Sequence, residues 1–236
     1  MKEFLDFVQD FKKSHPNLNG IEIETAFLEL SQPSIPEALN SLTKKGVSKI
    51  TAMPYFLFRA GHVKKEIPEM LDEFRMDHPD IQLFYGDSLW PHKNLTELAK
   101  RRIHAELEKF PMKKRDQVDL LVVGRGATDL EALSQFKEAV EDLGEGISCR
   151  SVQSCFIALA EPKYSELLPQ LLEQTDDILI FPYYLFTGIL VKRVEMMAEE
   201  VKKKNKNAVV RIAPHFGSDP LMIHLLRERI EEISLS

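Results

Sequence analysis

The residue whose type and setting best suit chemistry is His62. It lies in the stretch Pro54 to Pro68, where the β-rich run Val47 to Met53 ends, a short loop containing Gly61 follows, and a helical pattern resumes at Lys64. That places the imidazole at the carboxyl end of a strand, the edge at which open α/β sheets bind ligands. Imidazole is the commonest side-chain ligand of divalent metals and titrates near neutral pH, so His62 can hold a metal or move a proton. A solvated or helix-capping histidine is the plainer alternative at any one such position. Glu29 follows the apolar run Ile23 to Leu28 near the same edge. Alone it reads as a solvated strand-end carboxylate, and beside His62 it becomes a candidate metal or pyrrole-nitrogen partner.

Other candidates are weaker. Gly124-Arg125-Gly126-Ala127-Thr128-Asp129 follows a strand and resembles an anion-cradling turn, with Thr128 or Asp129 able to cap the next helix. It matches neither G-x-G-x-x-G nor G-x-x-x-x-G-K-[ST], so a helix cap and at most an anion contact for Arg125 are expected, and nucleotide binding is not. His215 follows a strand and reads as a surface or packing residue, as do His15, His78, His92, His104 and His224. Cys149 and Cys155 are spaced for neither a zinc knuckle nor a redox pair and read as small apolar residues. No Ser, Cys or Thr nucleophile pattern accompanies them, which argues against covalent catalysis.

The elements that must position these residues alternate in type. Phe4, Val8 and Phe11 recur at helical spacing, Ile21 to Phe27 alternates as a strand, 34–45 reads as a helix and 47–53 as a strand, and a helix over 64–76, a strand over 81–85 and a helix over 95–107 follow. The second half predicts a strand at Leu120 to Val123, a helix over 129–143, a strand near Val152, a helix over 163–173, a strand at 178–181, a helix from Val191, a strand over 209–213 and a closing helix. Such alternation means an α/β protein with small parallel sheets flanked by helices.

The halves also match each other. Phe27-Leu28-Glu29-Leu30-Ser31-Gln32-Pro33 aligns with Phe156-Ile157-Ala158-Leu159-Ala160-Glu161-Pro162 at an offset of 129 (156 − 27), and Pro54-Tyr55-Phe56-Leu57-Phe58 with Pro182-Tyr183-Tyr184-Leu185-Phe186 at 128 (182 − 54). We read a tandem duplication of two α/β domains, 1–112 and 113–236, with strand order 2-1-3-4 expected in each. His62 faces Leu190 and Glu29 faces Ala158, so the second copy is chemically silent at these positions. The counterpart of the strand and loop Leu120 to Gly126 falls upstream of Met1, because Arg125 maps to −4 (125 − 129). The first domain is therefore expected to lack its initial strand, Met1 to be internal to a longer native chain, and the polypeptide as written to be unstable or weakly active.

At 236 residues and 44% hydrophobic content the chain can bury a large core, and a net charge of −6 with scattered Lys and Arg offers no basic face for nucleic acid. The N-terminal stretch has no signal-peptide pattern and no run approaches the ~20 apolar residues of a membrane span, so a cytoplasmic protein is expected.

Phe27-Leu28-Glu29-Leu30 with Pro33-Ser34-Ile35, the run Pro54 to Pro68 with its Ala60-Gly61-His62-Val63 centre, Val123-Gly124-Arg125-Gly126, and Pro182-Tyr183-Tyr184-Leu185-Phe186-Thr187-Gly188 together resemble the long, two-domain sirohydrochlorin chelatases of the CbiX/SirB type. The resemblance runs over nearly the whole chain. It implies two chelatase-like domains and an ATP-independent lyase that inserts Co2+ or Fe2+, with Ni2+ also admitted, into a sirohydrochlorin-type tetrapyrrole, in cobalamin or sirohaem biosynthesis. No cofactor beyond that metal substrate is implied, and no membrane or nucleic-acid partner. Carried over by position, His62 is the metal ligand and Glu29 the active-site carboxylate, and Leu57, Phe58, Arg59, Ala60 and Gly61 join them in contacting the macrocycle. Arg59, Lys64, Lys65, Arg125 and Lys192 are candidates to meet its carboxylates. The family's first strand ends in a Gly-His-Gly-Ser loop bearing a second imidazole, and this sequence contains no such loop. A non-catalytic tetrapyrrole- or metal-binding relative is the alternative from another class, and a nucleotide-binding module at Gly124 to Gly126 ranks third.

Overall fold

Strand β3 (Asp119–Gly124) is the centre of the C-terminal half in the computed structural model, which describes residues 1–15 and 21–235. β4 (Ser151–Phe156), β5 (Asp177–Pro182) and β6 (Val209–Ile212) join it in one parallel sheet of order β4-β3-β5-β6, the expected 2-1-3-4. β3 and β5 are buried at every position, which explains their unbroken apolar runs: a strand covered on both faces need not alternate. Leu120, Val122, Leu179 and Phe181 face one hydrophobic cluster, while Leu121, Val123, Ile178 and Ile180 face another across the sheet. Helices α5 (Leu130–Gly144), α6 (Tyr164–Leu172) and α7 (Ile189–Lys204) flank these strands.

The N-terminal half contains α1 (Lys2–Ser14), α2 (Ile35–Lys44), β1 (Lys49–Ala52), α3 (Ile67–Asp77), β2 (Gln82–Tyr85) and α4 (Lys93–Leu107). Its sheet, among the described residues, is β1 paired in parallel with β2, so the 2-1-3-4 order is not reproduced here. The strand expected over 21–27 is also absent: those residues are extended but make only the bridge Phe27↔Ser34, the counterpart of Phe156↔Lys163. A strand is defined by its ladder, and no described strand lies beside 21–27 as β3 lies beside β4. The same difference shows in burial. β1 leaves Lys49 exposed and Thr51 and Ala52 half-buried, whereas its counterpart β5 is closed on all sides.

The halves share a core through exchanged helices. α4 packs on α5 and β5 of the C-terminal half, and α8 (Pro220–Leu235) packs on β1 and β2 of the N-terminal half. One hydrophobic cluster consequently runs from Phe7, Leu98 and Ile103 to Leu120, Phe181 and Leu225. Where the copies meet, Tyr55 stacks on Phe186 (5.8 Å, 24°) and Tyr183 stacks on Phe58 (5.7 Å, 18°). Phe7 packs on Tyr55 at 5.0 Å and Phe136 on Tyr183 at 5.6 Å. These contacts map onto one another under the duplication, so the copies face each other about an approximate twofold, and such ring pairs add to the gain from burial. Among the described residues no helix is long and apolar enough to cross a membrane.

Candidate metal centre

The loop after β1 enters its helix through a single π turn, His62–Glu66, before α3 begins at Ile67. Pro68 accounts for the wide turn. Proline has no N–H to donate and its ring crowds the carbonyl four residues earlier, so the backbone opens, and the Ile67 N–H reaches back to the His62 carbonyl. Val63 and Ile67 are buried, which fixes the turn on the N-terminal half and leaves His62 and Glu66, four apart, on its outer side.

His62 Nδ1 lies 2.9 Å from Glu66 Oε1. The approach is close but not aligned as a hydrogen bond, for Nδ1 is buried without a hydrogen-bond partner. A neutral imidazole offers a metal the ring nitrogen that carries no proton, and a carboxylate beside the ring can supply a second ligand atom. Glu29 completes the set: one ligand atom each from Glu29, His62 and Glu66 all lie within 4.8 Å of one another, the one such group among the described residues. Donors so spaced suit first-row metal bonds of about 2.0–2.2 Å after small side-chain adjustment. Two carboxylates and an imidazole attract a divalent ion and can also accept protons.

The expected Glu29 and His62 thus come together, and Glu66 is the candidate ligand that the sequence reading did not name. Its signal was the four-residue spacing from His62 on a helical turn. Gly61 is exposed with nothing within 4 Å of a would-be Cβ, Ala60 is half-buried, and Leu57 and Phe58 pack against the shared core. The Arg59 guanidinium lies 3.3 Å from Asp87, and its backbone N–H donates to Gln135 Oε1 at 2.9 Å. At the equivalent loop position of the other copy (59 + 128 = 187) the Thr187 N–H donates to Glu3 Oε2 at 2.6 Å, an acceptor one helical turn away from the counterpart of Gln135. Each copy's loop is therefore tied to the first helix of the other copy.

Lys64 is not a free cation. Its Nζ lies 2.6 Å from Asp129 Oδ2 and 3.0 Å from Glu131 Oε2, contacts that raise the lysine pKa and hold the Asp129 carboxyl below its usual value. Asp129 caps α5 as expected, accepting from the Glu131 and Ala132 N–H groups at 3.0 and 3.2 Å. Lys65, Arg125 and Lys192 have no ion-pair partner among the described residues. In the second copy the positions of Glu29 and His62 hold Ala158 and Leu190, and His215 is bound to Glu3 at 2.9 Å. A concavity of about 420 Å³ lies in that half, lined by Val191, Glu195, Ile212 and His215 among others. It contains neither His62 nor Glu29, so the donor set marks the candidate centre, and the concavity does not.

A doubled α/β fold that brings an imidazole and two carboxylates within 4.8 Å of one another offers donors suited to a divalent metal. The model of the CbiX family matches residues 1–106 and 119–233, and the chain belongs to that family. It is 30% identical over 214 residues to a sirohydrochlorin cobaltochelatase of Priestia megaterium, covering 90% of this chain and 70% of that one. A sirohydrochlorin ferrochelatase of the same organism is 25% identical over 229 residues, covering 96% and 82%. Among solved structures, SirB from Bacillus subtilis with Fe3+ superposes with a TM-score of 0.80 at 24% identity, covering 99% of this chain and 90% of that one, a likeness of fold.

Proposed function

We propose that this chain inserts Co2+ or Fe2+ into a sirohydrochlorin-type tetrapyrrole at the centre formed by Glu29, His62 and Glu66. The observation that carries the reading is the convergence of those three ligand atoms within 4.8 Å at the edge of a family fold whose relatives are named for this insertion. Insertion exchanges two pyrrole N–H protons for one metal ion. The His62 imidazole holds the incoming ion beside Glu66, and Glu29 faces it from the other loop. The carboxylates offset the dication's charge and accept the released protons, so positioning and electrostatics lower the barrier without ATP. The centre belongs to the copy spanning 1–112, while 113–236 is a copy without ligands at these positions. Two unpaired cysteines, Cys149 and Cys155, support a cytoplasmic setting.

Anaerobic assays with sirohydrochlorin and either ion, followed by the absorbance change of the macrocycle, test the reading. Wild type is expected to accelerate insertion, and His62→Ala and Glu66→Gln to lose both ion affinity and rate. Binding of ion and macrocycle with no insertion above the uncatalysed rate would replace the enzyme with a carrier.

A further inference from the structure

Leu30 and Leu159 have φ of +61° and +42°, the only positive values at non-glycine positions among the described residues. They are counterparts under the duplication (159 − 30 = 129). Left-handed backbone crowds Cβ against the following carbonyl, a cost glycine would avoid. Packing does not offset it: Leu30 is 101% and Leu159 53% exposed. Around them the copies have diverged, with Glu29 against Ala158, Ser31 against Ala160 and Gln32 against Glu161, yet both keep the leucine. An apolar side chain held out into solvent on a strained turn, twice, is costly to the free protein and returns nothing to its fold.

Their surroundings indicate what the leucines meet. Leu30 follows the metal-centre residue Glu29, and Leu159 lies in the loop after β4, which packs against Gly126 beside Arg125. The two sheet edges adjoin, because Lys64, two residues from His62, bonds Asp129 and Glu131 at the start of α5, just after β3. Leu130 (81% exposed) follows β3 and Ile189 (83%) follows β5, so the adjacent strands β4, β3 and β5 each lead into an exposed large apolar side chain. Arg125 and Lys192 add positive charge along the same edge. Exposed apolar side chains and cations on the loops around a candidate metal centre fit a flat ligand with apolar faces and peripheral carboxylates.

We propose that Leu30 and Leu159, one from each copy, are contact residues for the apolar face of the tetrapyrrole, so that the copy without metal ligands serves as part of the macrocycle's bed. This rests on the chelatase reading above. The test uses the full chain with Leu159→Gly, Leu30→Gly and the double variant, and Leu→Asn at both positions as a second, polar pair that tolerates left-handed backbone. Affinity for metal-free sirohydrochlorin is measured by absorbance titration, Co2+ affinity by calorimetry without macrocycle, stability by thermal melting and mass by light scattering. The glycine variants are expected to melt no lower than wild type, and the double variant to bind the macrocycle about tenfold or more weakly. Leu159→Gly is expected to keep the wild-type Co2+ affinity. Lower melting with unchanged macrocycle affinity would make these leucines structural and overturn the proposal, as would unchanged affinity accompanied by a loss of self-association. Wild type that binds Co2+ but no sirohydrochlorin would instead sink the chelatase reading, an outcome distinct from the other two.

Discussion

Asp129 performs two tasks with one carboxylate, and substitution can separate them. Oδ1 caps α5 through the Glu131 and Ala132 N–H groups, while Oδ2 lies 2.6 Å from Lys64, which shares its π turn with His62. Asparagine keeps an oxygen for the cap and removes the charge, whereas alanine removes both. Loss of an N-cap costs about 1 kcal/mol, and a chain of this size loses roughly 2–4 °C of melting temperature per kcal/mol. Asp129→Ala should therefore melt a few degrees lower, while Asp129→Asn should stay within about 0.5 kcal/mol of wild type, as expected for a partly solvated ion pair. Co2+ affinity should order the variants differently. Because Glu131 also reaches Lys64, at 3.0 Å, the full effect needs Asp129→Asn combined with Glu131→Gln, which should weaken Co2+ binding roughly tenfold, as removal of a supporting contact around a metal ligand does. Thermal melts and calorimetric Co2+ titrations read both effects. Asp129→Asn melting as low as Asp129→Ala would refute the cap, and unchanged Co2+ affinity in the charge-removed pair would refute the anchoring of the His62 turn through Lys64.

The hydroxyl of Tyr55 is buried without a partner, and burial pushes its pKa far above the usual range, so Tyr55→Phe should stabilise the chain by about 1 kcal/mol in denaturant titrations; destabilisation would reveal a bond to that oxygen. Gly126 has φ +85° and a Cβ there would lie 2.5 Å from the Ala158 carbonyl oxygen, whereas Gly46 at φ +77° has nothing within 4 Å. Gly46→Ala should cost about 1 kcal/mol for backbone strain alone, and Gly126→Ala clearly more; equal losses would mean the β4 loop moves aside freely. Hydrogen bonds to Lys45, to Ser34 and to Lys202 hold Glu24, Glu37 and Glu199 below the ordinary 4.5, and Lys64 holds Asp129 below 3.8. A depressed folded-state pKa stabilises above the unfolded value, so this contribution is present at neutral pH and is lost as pH falls through the depressed values. Melting temperature should decline on acidification below about pH 4.5, and a flat profile there would contradict these contacts.

Much of this architecture is legible in the sequence because it is written locally. Unbroken apolar runs mark β3 and β5 as doubly covered strands, and the 129-residue offset pairs Phe27 with Phe156 from residue identities alone. His62 can be placed after a strand's carboxyl end because strand ends and glycine loops are sequence signals, and Glu29 meets it although the strand expected before Glu29 does not form. Three features are not legible, each for a physical reason. Ile21 to Phe27 has the alternation of a strand, but alternation states only a preference and the ladder needs a neighbour. Glu66 looks like any solvated helix carboxylate until Pro68 opens the turn that sets it against His62. Lys64 looks available to an anionic ligand, and its partners lie 65 and 67 residues further along the chain (129 − 64, 131 − 64).

The exchange of the last helices is invisible in the sequence for the same reason, and it decides what the second copy is for. α8 covers β1 and β2, and where a Cβ on Gly86 would stand the Ile233 side chain comes within 2.4 Å, so the closing helix of the C-terminal copy fills the face of the N-terminal sheet. Tyr183 and Phe186 supply the rings on which Phe58 and Tyr55 stack. A fragment of residues 1–112 would keep Glu29, His62 and Glu66 but expose that face and those rings. Deleting one large aromatic side chain from a core costs about 3–5 kcal/mol against a typical total stability of 5–15 kcal/mol, and the fragment forgoes several such packings at once. It should show no cooperative melt and no specific Co2+ binding, and mixing it with 113–236 should restore both. Cooperative melting of 1–112 alone would mean that the N-terminal sheet closes without α8, leaving ligand contact as the second copy's main contribution.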